Sequence, residues 1–242
     1  MNKTSQYEMT IVIPVYNEED NMYALEKKLT AYLPNCSVKA CVLFVNDGSK
    51  DSSLEKIKEI CGRNDGFYYI SFEKNGGVSA VMKAGIEATE SPLMAEIDAD
   101  MQTDVEDFNL LLQYTDEYEM VKGMRVKRQD TLSKKLQSKI ANAFRRMITH
   151  DGVMDTVCPL KILRTSYAKQ MPIFTGMHRF FPALIQLQGG KVKELAVRHY
   201  PRVAGVSKFS LWNRVFVGFI DCFAFVYIRA RYIRYSIKES NI

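Results

Sequence analysis

The hydrophobic positions in the first half of the chain follow two alternating periods. Short β-branched runs, "MTIVIP" at 9–14, "ACVLFVN" at 40–46, "FYYISFE" at 67–73 and "LMAEI" at 93–97, read as strands. Between them the apolar residues recur at helical spacing. "NMYALEKKLTAYL" sets Met22, Leu25, Leu29 and Leu33 on one face, and "SLEKIKEICG", closed by Gly62, and "VSAVMKAGIEA" supply two more helices. After the fourth run, Thr103 and Glu106 form a capping box that opens the helix "DFNLLLQY". Strands alternating with helices predict an α/β domain with a mostly parallel sheet flanked by helices. Ligands of such sheets gather at the carboxyl ends of the strands.

The pattern loosens beyond residue 118. Tyr118–Met124 reads as a fifth strand, and "CPLKILR" and "KVKELAVRHY" as two more, with a helix "HRFFPALIQLQ" between them. A helix from about Ser133 to Thr149 places Leu136, Ile140, Phe144 and Ile148 on one face, with Lys134 and Ser138 opposite. The last stretch, "LWNRVFVGFIDCFAFVYIRARYIRYSIK", carries a helical stripe of Trp212, Val215, Phe216, Phe219, Ile220 and Phe223, followed by Arg229, Arg231, Arg234 and Lys238. Such a stripe fits an amphipathic helix lying in a membrane interface, or one packed on the preceding domain. The division expected is a domain over 1–210 and a basic amphipathic segment over 211–242.

Composition narrows the picture modestly. The 242 residues are 47% hydrophobic and 25% charged, ordinary for a globular domain of that size. The net charge of +5 is uneven, with basic residues dominating 122–146 and 198–238, which points to an anionic partner. Nucleic acid fits poorly, because the basic residues flank an acidic cluster and form no recognised binding motif. Five scattered cysteines without a CxxC pair argue for a reducing compartment and against structural zinc. The N-terminus has no apolar leader-like run. The longest apolar stretch, 215–228, is short for a membrane span and contains Asp221.

Each strand end carries polar residues. "AEIDADMQTD" delivers an apolar run into Asp98 and Asp100, which an extended backbone would point the same way. Two carboxylates and the Gln102 amide make an oxygen-rich partial shell for Mg2+ or Mn2+; the plainer alternative is a solvated acidic turn. In "NDGSKDSS", Asp47 ends a strand, Gly48 permits a tight turn, and Ser49, Asp51 and Ser52 are placed to cap the next helix. "KNGG" either turns the chain or brings backbone amides to a phosphate.

Taken together and in order, "IVIPVYNEEDN", "VLFVNDGSKDSS", "NGGVSAVMKAGI" and "EIDADMQTD" resemble the family 2 glycosyltransferases of Rossmann-like GT-A fold. In the second half, "GMRVKRQDTLSKKLQSKIAN", "MDTVCPLKILR" and "HYPRVAGVSKFS" resemble the polyprenyl-phosphate sugar transferases, with Pro159 and Lys161 where relatives often have glycine and arginine. The resemblance implies a nucleotide-sugar donor whose base and ribose meet Pro14, Tyr16, Glu18 and Asp47. It implies a divalent metal on Asp98, Asp100 and Gln102, and an acceptor phosphate met by Arg125, Lys134 and Ser138. Arg202 and Lys208 would close over the diphosphate, and Asp155 would sit near the sugar.

The implied reaction is inverting, metal-dependent transfer of a hexose from a UDP- or GDP-sugar to a polyprenyl phosphate, by a protein peripheral to the cytoplasmic membrane face, with a homo-oligomer among the assemblies the resemblance allows. A phosphate acceptor is already ionised and needs no general base, whereas a glycan hydroxyl does. Where glycan-extending enzymes commonly show an acidic pair, this chain has "TGMHRFFPAL". His178 there is open to a role as base or as a structural residue. The alternatives are transfer to a glycan hydroxyl and a membrane-docked interaction protein without activity.

Overall fold

The computed structural model describes residues 2–126, 143–200, 211–233 and 238–239, with the side chains of the last helix from residue 218 onward. Lys134, Ser138, Arg202 and Lys208 lie outside the described residues.

Strands β1 (Met9–Val15), β2 (Ala40–Asn46), β3 (Phe67–Ser71) and β4 (Leu93–Glu96) form where the β-branched runs predict them, followed by β5 (Met120–Arg125), β6 (Lys161–Arg164) and β7 (Val192–Val197). They make one seven-stranded sheet in the order β3-β2-β1-β4-β6-β5-β7. All neighbours pair in parallel except β6, which runs antiparallel to both β4 and β5. The sheet is therefore mostly parallel, with one reversed strand inserted between β4 and β5.

Helices α1 (Met22–Tyr32), α2 (Ser53–Arg63), α3 (Val78–Ala88) and α4 (Asp107–Leu112) alternate with the strands; α5 occupies 143–149, and α6 (Thr165–Gln170), α7 (Phe181–Leu187) and α8 (Leu211–Arg231) follow. One sheet face is covered through Leu25, Leu29, Ile57, Ile60, Phe108 and Leu111 of α1, α2 and α4. The other meets Val81, Met82 and Ile86 of α3, Ala168 of α6, Leu184 of α7, and Cys222 and Phe225 of α8. Burying strands on both faces explains why β1 and β2 read as continuous apolar runs.

Two local expectations are corrected. Gly62 does not close α2, which continues to Arg63 and is ended by Asn64. The Thr103–Glu106 capping box does not form. Glu106 is itself the residue before α4 and makes no side-chain cap, and the buried Thr103 Oγ1 has no hydrogen-bond partner among the described residues. Asp104 instead accepts the Glu106 N–H at 3.3 Å, so a short acidic turn replaces the box.

The α8 helix is held by one face. Asp221 pairs with Arg179 and packs against Gly176, whose backbone has φ 94°. A Cβ there would lie 2.3 Å from the Asp221 carboxylate, so only glycine admits this contact. Phe225 stacks on Phe180 at 5.3 Å, while Ile220, Phe223 and Tyr227 on the remaining face are exposed.

Candidate active site

The loops after β1 and β2 are short polar segments tied to one another. After β1, Asn17 takes a left-handed φ of 51°, and its N–H donates to Ser49 Oγ at 2.9 Å. Lys50 N–H returns a bond to Asn17 Oδ1 at 2.8 Å, and Glu18 N–H donates to Ser53 Oγ at 2.9 Å. Ser49 and Ser53 thus join the loop after β1 to the loop after β2. Of the three residues expected to cap α2, Ser52 occupies the N-cap position without a side-chain bond, and Asp51 accepts Ser53 N–H at 3.0 Å. Pro14 lies within β1, and Tyr16 and Glu18 directly follow it; Glu18 Oε2 accepts from Asn21 at 2.7 Å.

Asp47 is buried, and its carboxylate accepts from Asn75 Nδ2 at 2.8 Å, Gly76 N–H at 2.6 Å and Gly77 N–H at 3.0 Å. The glycine amides of "KNGG" therefore point at Asp47, not at a phosphate position. Gly48 allows this close approach: its φ is 63°, and a Cβ would stand 2.5 Å from the Lys74 carbonyl carbon.

The acidic cluster departs from the extended geometry the spacing suggests. β4 ends at Glu96, and Asp100 sits on a turn continued by Met101 at φ 57°. Asp100 Oδ1 accepts the Gln102 N–H at 3.1 Å, and Gln102 O accepts from Tyr200 at 2.9 Å, which ties the turn to the segment after β7. A left-handed, non-glycine residue inside an acidic turn is held strain of a kind that clusters at functional sites.

Asp98 is pushed up to about 7 by burial, with Asp100 and Glu96 adding repulsion and Lys161 and Arg125 opposing it. A cation between Asp98 and Asp100 would relieve that repulsion, and the donors present are all hard oxygens, so the residues fit Mg2+ or Mn2+. Among the described residues no three Asp, Glu, His or Cys side chains converge on one point. An open shell of this kind leaves positions for diphosphate oxygens and water.

On the far side of the cluster, Arg125 and Asp155 are brought together. Arg125 Nε and Nη2 donate to the two Asp155 oxygens at 2.7 and 2.8 Å, and the Arg125 backbone N–H adds a third bond at 3.2 Å. Burial would raise the Asp155 carboxyl, yet the guanidinium fork and Lys122 hold it below the ordinary carboxylate value. Arg145 secures the same loop from α5, pairing with Asp151 and donating to Val153 O at 2.8 Å.

Sequence reading missed four charged residues inside the strands: Glu96, Lys122 and Glu194 as site residues, and Lys161 as anything beyond a departure from family pattern. Lys161 is buried and donates to Glu96 Oε2 at 2.6 Å beneath the acidic turn, with its Nζ 5.2 Å from the Phe181 ring centre. The signal was present in "MAEID", "MVKGM", "PLKIL" and "VKELAV", where one or two charges interrupt each apolar run.

His178 is resolved towards the structural role. Its Nδ1 lies 3.0 Å from Ser79 Oγ, which also accepts the Gly176 N–H at 2.9 Å. Burial, with Arg179 and Lys161 nearby, pushes its pKa down to about 3, so the ring is neutral and a weak base.

A mostly parallel sheet whose carboxyl edge carries this carboxylate pair, backed by a guanidinium–carboxylate fork, defines a GT-A type transferase scaffold. The chain belongs to glycosyl transferase family 2, whose model matches residues 10–171. It is 30% identical over 240 residues to the dodecaprenyl-phosphate galacturonate synthase of Rhizobium johnstonii, covering 97% of this chain and 70% of that protein. It is also 30% identical to an undecaprenyl-phosphate 4-deoxy-4-formamido-L-arabinose transferase of Aeromonas hydrophila, covering 89% of this chain and 67% of that protein.

Among solved structures, mannosyl-3-phosphoglycerate synthase from Rubrobacter xylanophilus superposes with a TM-score of 0.69 at 14% identity, covering 98% of this chain and 79% of that one. Glucosyl-3-phosphoglycerate synthase from Mycobacterium tuberculosis, in complex with Mn2+, UDP and glucosyl-3-phosphoglycerate, gives 0.68 at 12% identity, covering 94% and 81%. At those identities the likeness concerns the fold.

Proposed function

We propose that the protein transfers a hexose, with inversion and with a divalent metal, from a UDP- or GDP-sugar to a polyprenyl phosphate at a membrane surface. The observation that carries this reading is the state of Asp155, expected near the sugar, and of His178, the residue open to a role as base. Asp155 is locked in a bidentate pair and held below the carboxylate range, and His178 is half-buried and neutral. Neither is suited to strip a proton from a hydroxyl, whereas a phosphate oxygen attacks without one. The two relatives named for polyprenyl-phosphate products support the same class of acceptor.

Pro14, Tyr16, Glu18 and Asp47 would frame the base and ribose, and Asp98, Asp100 and Gln102 would hold the metal. When bound, that metal would supply positive charge to the leaving diphosphate. Arg125 would face the acceptor phosphate with Asp155 beside the sugar, and Lys134, Ser138, Arg202 and Lys208 join on the resemblance alone. In-line attack from the side opposite the diphosphate gives inversion.

No helix among the described residues is long and apolar enough to cross a membrane. α8 offers a surface instead: Ile220, Phe223 and Tyr227 are exposed beside Arg229 and Arg231. Sedimentation with phosphatidylglycerol vesicles should lose the Ile220→Ser/Phe223→Ser variant and retain the parent. A parent that stays in the supernatant removes the membrane from the reading.

The deciding experiment is a panel of UDP- and GDP-sugars with Mn2+, offered undecaprenyl phosphate, undecaprenol or a saccharide. Turnover with the phosphate alone is expected. Preference for a neutral hydroxyl makes this a glycan-extending enzyme, and no transfer from any donor favours a non-catalytic role.

A further inference from the structure

Four charged side chains stand in line at one level of the sheet. The strand register places Glu96 opposite Lys161, Lys161 opposite Lys122, and Lys122 opposite Glu194. Directly opposed residues share a sheet face, so a row of negative, positive, positive and negative groups crosses β4, β6, β5 and β7. Each of the first three is two residues along its strand from a buried apolar neighbour, Met94, Leu163 or Met120, on the same face. The row therefore closes off that hydrophobic layer at the edge where the site lies. Its outer pairs serve different loops: Glu96–Lys161 lies under the acidic turn, and Lys122–Glu194 lies under the loop that carries Asp155.

The second pair grips one residue from both sides. Lys122 is fully buried, and its Nζ donates to Gly123 O at 3.0 Å and to Asp155 O, and stands 3.3 Å from Glu194 Oε1. Glu194 accepts Met154 N–H at 2.7 Å and Asp155 N–H at 2.8 Å. The carbonyl and the amide of residue 155 are thus both fixed by the pair, while its side chain holds Arg125. Burial disfavours the charged lysine, and an apolar side chain would occupy this strand position at less cost. What the ammonium adds is a fixed donor to the residue that sets the guanidinium.

We propose that Lys122 and Glu194 are positioning residues: they fix Asp155, and through it orient Arg125 toward the acceptor phosphate. This rests on the acceptor reading above only in its last clause. A fork held on two sides presents its remaining N–H groups in one direction, which a loosely tethered arginine does not.

The test uses the full chain with Lys122→Met and, in case that variant fails to fold, Glu194→Gln at the less buried end of the pair. The Arg125 Nε–H resonance, assigned by its loss in Arg125→Lys, should exchange slowly with water in the parent. In both variants its exchange should accelerate by about tenfold or more as the fork opens locally. Turnover of undecaprenyl phosphate per folded molecule should fall about tenfold or more, because misplacing a contact by an ångström is costly. UDP–Mn2+ affinity by calorimetry should stay within about twofold, since that site is separate.

Unchanged exchange overturns the proposal. So does faster exchange with unaltered turnover, which would leave the pair a purely structural role. If the parent itself transfers nothing to undecaprenyl phosphate, the acceptor reading falls, and the exchange measurement alone decides whether the pair positions the fork.

Discussion

The two halves of the site are held by different physics. On the proposed donor side, the turns after β1, β2 and β3 are joined by small side chains that accept backbone N–H groups: Ser49 from Asn17, Ser53 from Glu18, Asp47 from Gly76 and Gly77. On the opposite side, long charged side chains on β4 to β7 form the pairs: Lys161 with Glu96 and Lys122 with Glu194 across strands, and Arg125 of β5 with Asp155 of the loop before β6. The first arrangement spreads its stabilisation over many modest bonds. The second concentrates it in a few buried pairs, each of which leaves an exposed cost if one partner is removed. The donor side should therefore degrade gradually under mutation and the other side abruptly.

The largest expected effect tests that contrast directly. Lys161 and Glu96 are both nearly inaccessible, at 3% and 4% exposure. Lys161→Met should cost about 3–5 kcal/mol, because Glu96 is left buried without its partner. Pairing it with Glu96→Leu should recover most of that loss, as apolar replacement of both members is often close to neutral. Urea unfolding of the two variants against the parent measures both. A loss below about 1 kcal/mol for Lys161→Met would place this pair with surface bridges and erase the contrast.

Next is Asp100→Asn, which leaves the turn's shape while removing a carboxylate from the proposed metal site. Mn2+-dependent UDP affinity should drop about a hundredfold, with unfolding stability changed by less than about 1 kcal/mol. Calorimetry with and without Mn2+ separates metal-dependent from metal-independent binding. Unchanged metal-dependent affinity would end the assignment of Asp100 as a ligand.

How legible each half was in the sequence follows from the same difference. The donor half was readable because turn chemistry is local: Asp47-Gly48-Ser49 and Asp98-Ala99-Asp100 announce themselves within a few residues, and β1 to β4 lie close to where periodicity put them. Even there, the destination of the "KNGG" amides was not readable, since they bond to a carboxylate about 30 residues earlier in the chain. The other half was readable in its elements but not in its partners. Lys161 and Glu96 are 65 residues apart, Lys122 and Glu194 72 apart, and only strand register brings them together. The reversed β6 was equally hidden, because a four-residue strand has the same pattern in either direction. In α8 the helix was legible, but its apolar residues lie on both faces, so sequence alone could not say which side packs.

A pH-dependent effect comes from His178, whose ring is held against α3 by Ser79. Its pKa of about 3 lies well below the ordinary 6.5. Above pH 6.5 neither folded nor unfolded chain holds the proton, so there is no penalty. Between about 6.5 and 3 the unfolded chain takes up a proton that the native site refuses, and stability must fall as pH drops. Below both values the slope from this residue vanishes. His178→Asn should therefore lose less stability than the parent between pH 7 and pH 4, in paired denaturant titrations. Parallel pH profiles would mean that the ring charges readily in the native state.

The smallest effects belong to the donor-side turns, and they complete the comparison. Ser53 is wholly buried and accepts the Glu18 N–H, and Ser49 accepts that of Asn17. Each alanine substitution removes one acceptor and should cost about 1 kcal/mol. Neither should approach the Lys161→Met loss, because an N–H in a solvent-facing loop can turn to water, while the Glu96 carboxylate cannot. The two serines serve adjoining loop residues, so the double variant should depart from additivity by about 0.5 kcal/mol or more. Loosening one bond lets the loop after β1 relax away from the other. UDP affinity should weaken in step with the stability loss, since the same loop would frame the base. If Ser53→Ala alone cost as much as breaking a buried ion pair, the donor side too would depend on a single contact, and the distinction between the halves would fail.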